Sequence, residues 1–183
     1  MENARRDPDP YKLVEKLSAK EYRFIEQVVH SPPLTQDWSQ AWLHIVKERL
    51  RLSATHLRVA ISIHGRIGSR PDDETCRSVI SRAYYSMYCA ARAAVALETR
   101  GDINDHQRLS DVVKTIDTWS VEDRCAVGAA LSRFRTLRND ADYSPFYPSA
   151  LELDADESII TGVEVLRICR RWVKETKGKR GLT

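Results

Sequence analysis

Apolar positions recur along this chain at three- and four-residue intervals, the spacing of helices that bury one face. Around Trp38 a long helix is predicted, with Trp38, Trp42, Ile45, Val46, Leu50, Leu57, Ala60 and Ile61 on one side and Lys47, Glu48, Arg51 and Arg58 turned elsewhere. It runs to about His64, where the turn-rich stretch Gly65-Arg66-Ile67-Gly68-Ser69-Arg70-Pro71 begins. Asp72 or Asp73 then suits the N-cap of a helix through Leu97. Within that helix Tyr84, Tyr88 and Ala91 share a face, while Ala83, Ser86, Ala90, Ala93 and Ala94 are small enough to let neighbouring helices approach closely. It reads as the central helix of the fold.

Gly101 suits a helix end in the next break, Thr99 to Asp105. A helix from about His106 to Thr118 carries Leu109, Val112, Val113 and Ile116. Ser120 has the form of an N-cap, with Asp123 in the place of the capping-box acid. The helix it opens carries Cys125, Val127, Leu131, Phe134 and Leu137, and Ser144-Pro145-Phe146-Tyr147-Pro148 terminates it. Asp154 precedes a final helix through about Lys174, acidic in its first turn and basic in its last, as the helix dipole favours. Ahead of all these, Leu13, Leu17, Tyr22, Phe24, Ile25, Val28 and Val29 form an imperfect helical stripe, closed by Ser31-Pro32-Pro33. Strand alternation and repeats are lacking. The expected fold is therefore all-α, an up-and-down bundle of about six helices. Residues 1–36 read as an N-terminal helical extension, 37–177 as the principal domain and 178–183 as a basic tail.

Composition narrows the class. Of 183 residues 42% are hydrophobic and 30% charged, a globular balance rather than a disordered one. The N-terminus lacks the apolar stretch of a signal peptide and no run of about 18 apolar residues occurs, so a cytoplasmic protein without membrane contact is expected. Cys76, Cys89, Cys125 and Cys169 are widely separated, without a Cys-x-x-Cys pair or clustered histidines, and read as reduced, mostly buried thiols. Neither a metal nor a cofactor is expected, and the 7 glycines are scattered rather than gathered into a phosphate-cradling loop.

The net charge of +3 says little about partners, but its distribution says more. Arg135, Arg138 and Asp142 fall at i, i+3 and i+7, aligning two guanidiniums and a carboxylate along the end of a helix. Tyr84, Tyr85 and Tyr88, with Arg82 and Arg92 interleaved, suit either base stacking or a core whose hydroxyls reach out to partners. Between Arg167 and Arg180, seven cations face one acid, a net of +6, which fits phosphate contact or a solvated helix end.

The Ser81-Arg82-Ala83-Tyr84-Tyr85-Ser86-Met87-Tyr88 run, followed by Leu137-Arg138-Asn139-Asp140-Ala141-Asp142-Tyr143, resembles the HEPN family, helical domains of prokaryotic toxin–antitoxin and defence systems. The resemblance spans roughly residues 74 to 175. It implies an RNA- or partner-binding component, with a homodimer whose two helix ends face each other across a composite basic cleft. It also implies a possible minimal nucleotidyltransferase antitoxin or other defence protein as partner, with Tyr143 or Tyr147 as the candidate for modification. Family ribonucleases carry an arginine, four to six residues and then a histidine. Arg138 and Asn139 match the start of that motif, but Asp142 or Tyr143 stands where the histidine belongs.

That substitution bears on chemistry. Cleavage by a 2′-hydroxyl needs a proton acceptor near neutral pH and positive charge for the phosphorane. Carboxylates titrate near 3.9 and phenols near 10, so neither type is well poised for the first task. Two readings follow: a degenerate site that binds RNA or a protein, or an active endoribonuclease using Arg138, Asn139, Asp142 and Tyr143, with Arg135, Arg82 and Arg92 as RNA contacts. A third is a structural or regulatory subunit, with Arg138 and Asp142 forming an i,i+4 ion pair. His106 begins a helix and reads as a cap or surface group; it is the histidine whose distance from Arg138 matters most.

Overall fold

The computed structural model describes residues 32–65 and 72–180, which contain five helices and no strand. These are α1 (Pro32–His64), α2 (Asp73–Thr99), α3 (His106–Thr115), α4 (Val121–Tyr143) and α5 (Leu151–Lys179). The sixth expected helix, over residues 11–30, lies outside the described residues. The all-α expectation holds for those described.

Helix ends follow from local chemistry. Asp72 accepts from the Thr75 amide at 2.7 Å and caps α2, Asp105 accepts from the Arg108 amide at 2.6 Å and caps α3, and Ser120 accepts from the Asp123 amide at 3.2 Å and caps α4. Asp123 does not complete a capping box; its carboxylate pairs with Arg171 of α5. Four boundaries differ from expectation, the first being α3, which stops at Thr115 rather than near Thr118. α1 starts at Pro32 rather than near Trp38, because proline is compatible with a first helical turn, where its missing N–H has no partner to lose. The left-handed residue that ends α2 is Arg100 (φ 52°), not Gly101. α5 runs from Leu151 to Lys179, beyond the expected limits at both ends and past the boundary drawn at residue 178.

α2 is the hub. It packs along α1 and α5, crosses α4 and touches α3. Its small residues let α1 approach closely enough for Ser53 Oγ to donate to the Ser86 carbonyl at 2.8 Å, with the Ser86 hydroxyl 3.1 Å away. Further along the same seam the indole of Trp42 donates to the Ala96 carbonyl at 2.8 Å. On the other side Gly162 of α5 leaves little room: an added Cβ would lie 3.2 Å from Leu57 Cδ1. Tyr84, Met87, Leu97, Phe134 and Trp172 fill the centre, and Trp119 stacks on Trp172 at 3.8 Å. Cys76, Cys89 and Cys169 are buried and Cys125 is exposed. Among the described residues no helix is long and apolar enough to cross a membrane.

Candidate functional site

Arg138 occupies the last turns of α4, and its position is fixed from three directions. Its Nε lies 2.7 Å from Asp142 Oδ2, its Nη2 donates to the Tyr85 hydroxyl at 2.6 Å, and its Nη1 donates to Asn139 Oδ1 at 3.2 Å. The guanidinium also lies over the rings of Tyr85 and Tyr143, at 5.2 and 5.3 Å. Burial alone would lower its pKa, but the charge of Asp142 and the two tyrosines outweigh that and raise it. The i,i+4 ion pair is therefore formed. An arginine preceding its acid contributes only a few tenths of a kcal/mol in a helix, about 0.2–0.5.

The helix stops at Ser144, ahead of Pro145, and Arg77 of α2 reaches across its end. Arg77 Nη1 donates to the carbonyls of Asp140, Ala141 and Ser144, at 3.3, 2.9 and 2.8 Å, satisfying acceptors that a helix terminus leaves open. A cleft of about 620 Å³ lies between α2 and α4, lined by the arginines Arg77, Arg82 and Arg138, the acids Asp73, Glu74 and Asp142, and by Tyr85 among others. Its three arginines and three acids balance. Arg82 is exposed and Arg135 donates to Gln107 Oε1 at 3.3 Å, and neither forms an ion pair with a carboxylate among the described residues.

The other expected site residues separate into two groups. Asp142 and Asn139 join Arg138, and Tyr143 is 74% exposed beside it. Arg92 is instead committed to Asp102, through both Nε and Nη2. Tyr147 is also committed: its hydroxyl donates to Asp154 at 3.1 Å, and burial together with the Asp154 charge raises its pKa. Of the two tyrosines considered for modification, Tyr143 is the accessible one. The basic end of α5 is partly neutralised, since Arg167 pairs with Glu164, Arg171 with Asp123, and Arg180 donates to the carbonyls of Leu97 and Glu98.

Tyr84 and Tyr88 are core residues whose hydroxyls reach partners, Tyr84 at His106 Nδ1 (2.6 Å) and Tyr88 at the Asn104 carbonyl (2.8 Å). His106 is neither a cap nor a free surface group. Asp105 makes the cap, and the half-buried imidazole of the next residue packs among three tyrosines. Burial first, and then the charge of Arg138, lower its pKa below the ordinary 6.5. Sequence reasoning gave His106 no such surroundings, because its neighbours lie on α2 and α4 and no local pattern records them. Among the described residues no group of three or more histidine, cysteine and acidic side chains is placed to hold a metal.

No family model matches this chain, and no curated protein matches it.

Proposed function

We propose that the Arg138 end of the bundle binds single-stranded RNA, as part of a HEPN-like component of a prokaryotic toxin–antitoxin or phage-defence system. The observation that carries this is Arg138 lying over Tyr85 and the exposed ring of Tyr143, with the exposed Arg82 lining the same cleft as Tyr85 and Arg138. RNA offers phosphates and unstacked bases; guanidiniums take the first and tyrosine rings the second. In a homodimer with these ends facing, two such groups would join into one longer basic surface.

Anisotropy of a labelled single-stranded oligoribonucleotide, titrated at several salt concentrations, tests this. Arg82→Ala and Arg135→Ala each remove one phosphate contact, so each is expected to weaken binding and to flatten the salt slope by about 0.7 per contact. Tyr143→Ala is expected to cost about 1–3 kcal/mol of stacking. Equal binding by all three variants and the unaltered chain, or loss of binding only on removal of Lys174 and Lys177, would overturn the assignment.

A further inference from the structure

Away from the Arg138 corner, α1 and α5 lie antiparallel. His64 at the end of α1 pairs with Asp156 near the start of α5 at 2.5 Å, Leu57 packs against Gly162, and Leu43 and Leu50 share a hollow with Val173 and Lys177 near the end of α5. Along this seam each helix carries a row spaced alternately by three and four residues, the spacing with which helices present one face to a neighbour. On α1 the row is Leu43, Lys47, Leu50, Ala54, Leu57 and Ile61. On α5 it is Ile159, Val163, Leu166, Arg170, Val173 and Lys177.

The two rows are only half covered by each other. Leu57, Leu166 and Val173 are buried and form a floor, whereas Leu43, Leu50, Ala54 and Ile159 are partly buried, and Ile61 and Val163 are 45% and 47% exposed. From Leu43 to Ile61 the seam extends roughly 27 Å, or about five helical turns. Its polar members are all cations: Lys47, Arg170 and Lys177. The hollow at its basic end, about 320 Å³, has Leu43, Val46, Leu50 and Val173 beside Lys47 and Lys177, and no carboxylate lines it. Toward the apolar end the nearby acids are already engaged, Asp156 by His64 and Glu164 by Arg167.

We infer that the α1–α5 seam is a docking groove for an amphipathic helix of a partner protein, about five turns long, apolar on one face and acidic along its edges. Such a helix completes the burial of Leu43, Leu50, Ile61 and Val163, and its carboxylates meet Lys47, Arg170 and Lys177. Charge selects this occupant over the others. A second copy of the chain, docked by the same surface about a two-fold axis, brings these cations against their own copies. The chain's residues 11–30 carry Lys12, Lys16, Lys20 and Arg23 against Glu15, Glu21 and Glu26, and so offer no net negative charge. Single-stranded RNA finds no tyrosine, tryptophan or phenylalanine lining the hollow on which to stack a base.

The test uses the full chain and two labelled synthetic peptides of about 20 residues, each with leucine at the heptad a and d positions. One carries glutamate at the flanking positions and the other lysine. In anisotropy titrations the glutamate peptide is expected to bind at least about tenfold more tightly than the lysine peptide, and less tightly as salt rises. Lys47→Glu and Lys177→Glu are each expected to weaken it about tenfold by charge. Ile61→Asp and Val163→Asp are expected to weaken it by a similar factor, about tenfold, through lost apolar burial, and, being at exposed positions, to leave the unfolding midpoint near that of the unaltered chain. Arg138→Ala is expected to leave peptide binding unchanged, which separates this groove from the RNA-binding corner. No binding of the glutamate peptide, equal binding of the two peptides, or indifference to all four groove substitutions would overturn the inference. So would a rise in peptide affinity on Leu17→Asp, which would assign the groove to the chain's own residues 11–30, or a fall in sedimenting mass on Ile61→Asp, which would assign it to a second copy.

Discussion

Asp102 holds two guanidiniums, one of them buried, so removal of its charge leaves Arg49 and Arg92 without their shared carboxylate. Breaking a buried pair from one side costs about 3–5 kcal/mol. Asp102→Asn is expected to lose about that much stability, measured as a lower urea midpoint at an unchanged slope. The pH dependence has a definite sign. Burial would raise the Asp102 pKa, but hydrogen bonds from Arg92 and the charge of Arg49 outweigh it and hold it below the ordinary 3.8. Its contribution is therefore present above that value and is lost as pH falls through the folded-state pKa. The unaltered chain should show this acid-dependent loss, and Asp102→Asn should lack it. In the sequence Asp102 is a turn residue next to a glycine and Arg92 an arginine among aromatics. Nothing local pairs them, and Arg92 accordingly read as an RNA contact.

Helix positions were more legible, because the forces that set them act within a few residues. Ser120, and Asp72 as one of two alternatives with Asp73, read as caps from their place before an apolar periodic run, and both accept the expected amide. Ser120→Ala is expected to cost about 1 kcal/mol, within the usual 0.5–2 for a lost cap, read from thermal unfolding. The errors at boundaries also have local causes. Prolines at 32 and 33 signal a stop to whatever precedes them, yet they equally suit a start, and α1 uses them that way. Arg100 takes the left-handed conformation one residue before the glycine that seemed made for it. The end of α4 was marked by Pro145, but the acceptor that the helix leaves open at Ala141 is satisfied by Arg77, 64 residues away.

Packing of the five helices brings Tyr84 and Tyr85 of α2, His106 of α3 and Arg138 of α4 to one corner, and this convergence is what periodicity does not record. Arg138, Asp142 and Tyr143 were legible as a site because they fall on one helix end; His106 lay 32 residues earlier and was linked to them only by three-dimensional packing. The same corner predicts a second pH response. Because burial and Arg138 lower the His106 pKa, its contribution to stability is complete above 6.5 and declines as pH falls toward the folded-state value. His106→Gln should remove that decline, as seen in unfolding midpoints compared between about pH 5 and 7.

The central claim is that RNA lies against the α2–α4 corner. Ultraviolet crosslinking of a bound oligoribonucleotide, followed by mass mapping of the modified peptides, tests it most directly. The account predicts crosslinks at Tyr143 and Tyr85, reduced in Arg138→Ala. Crosslinks confined to the basic end of α5, or none under conditions where the RNA is bound, would contradict it.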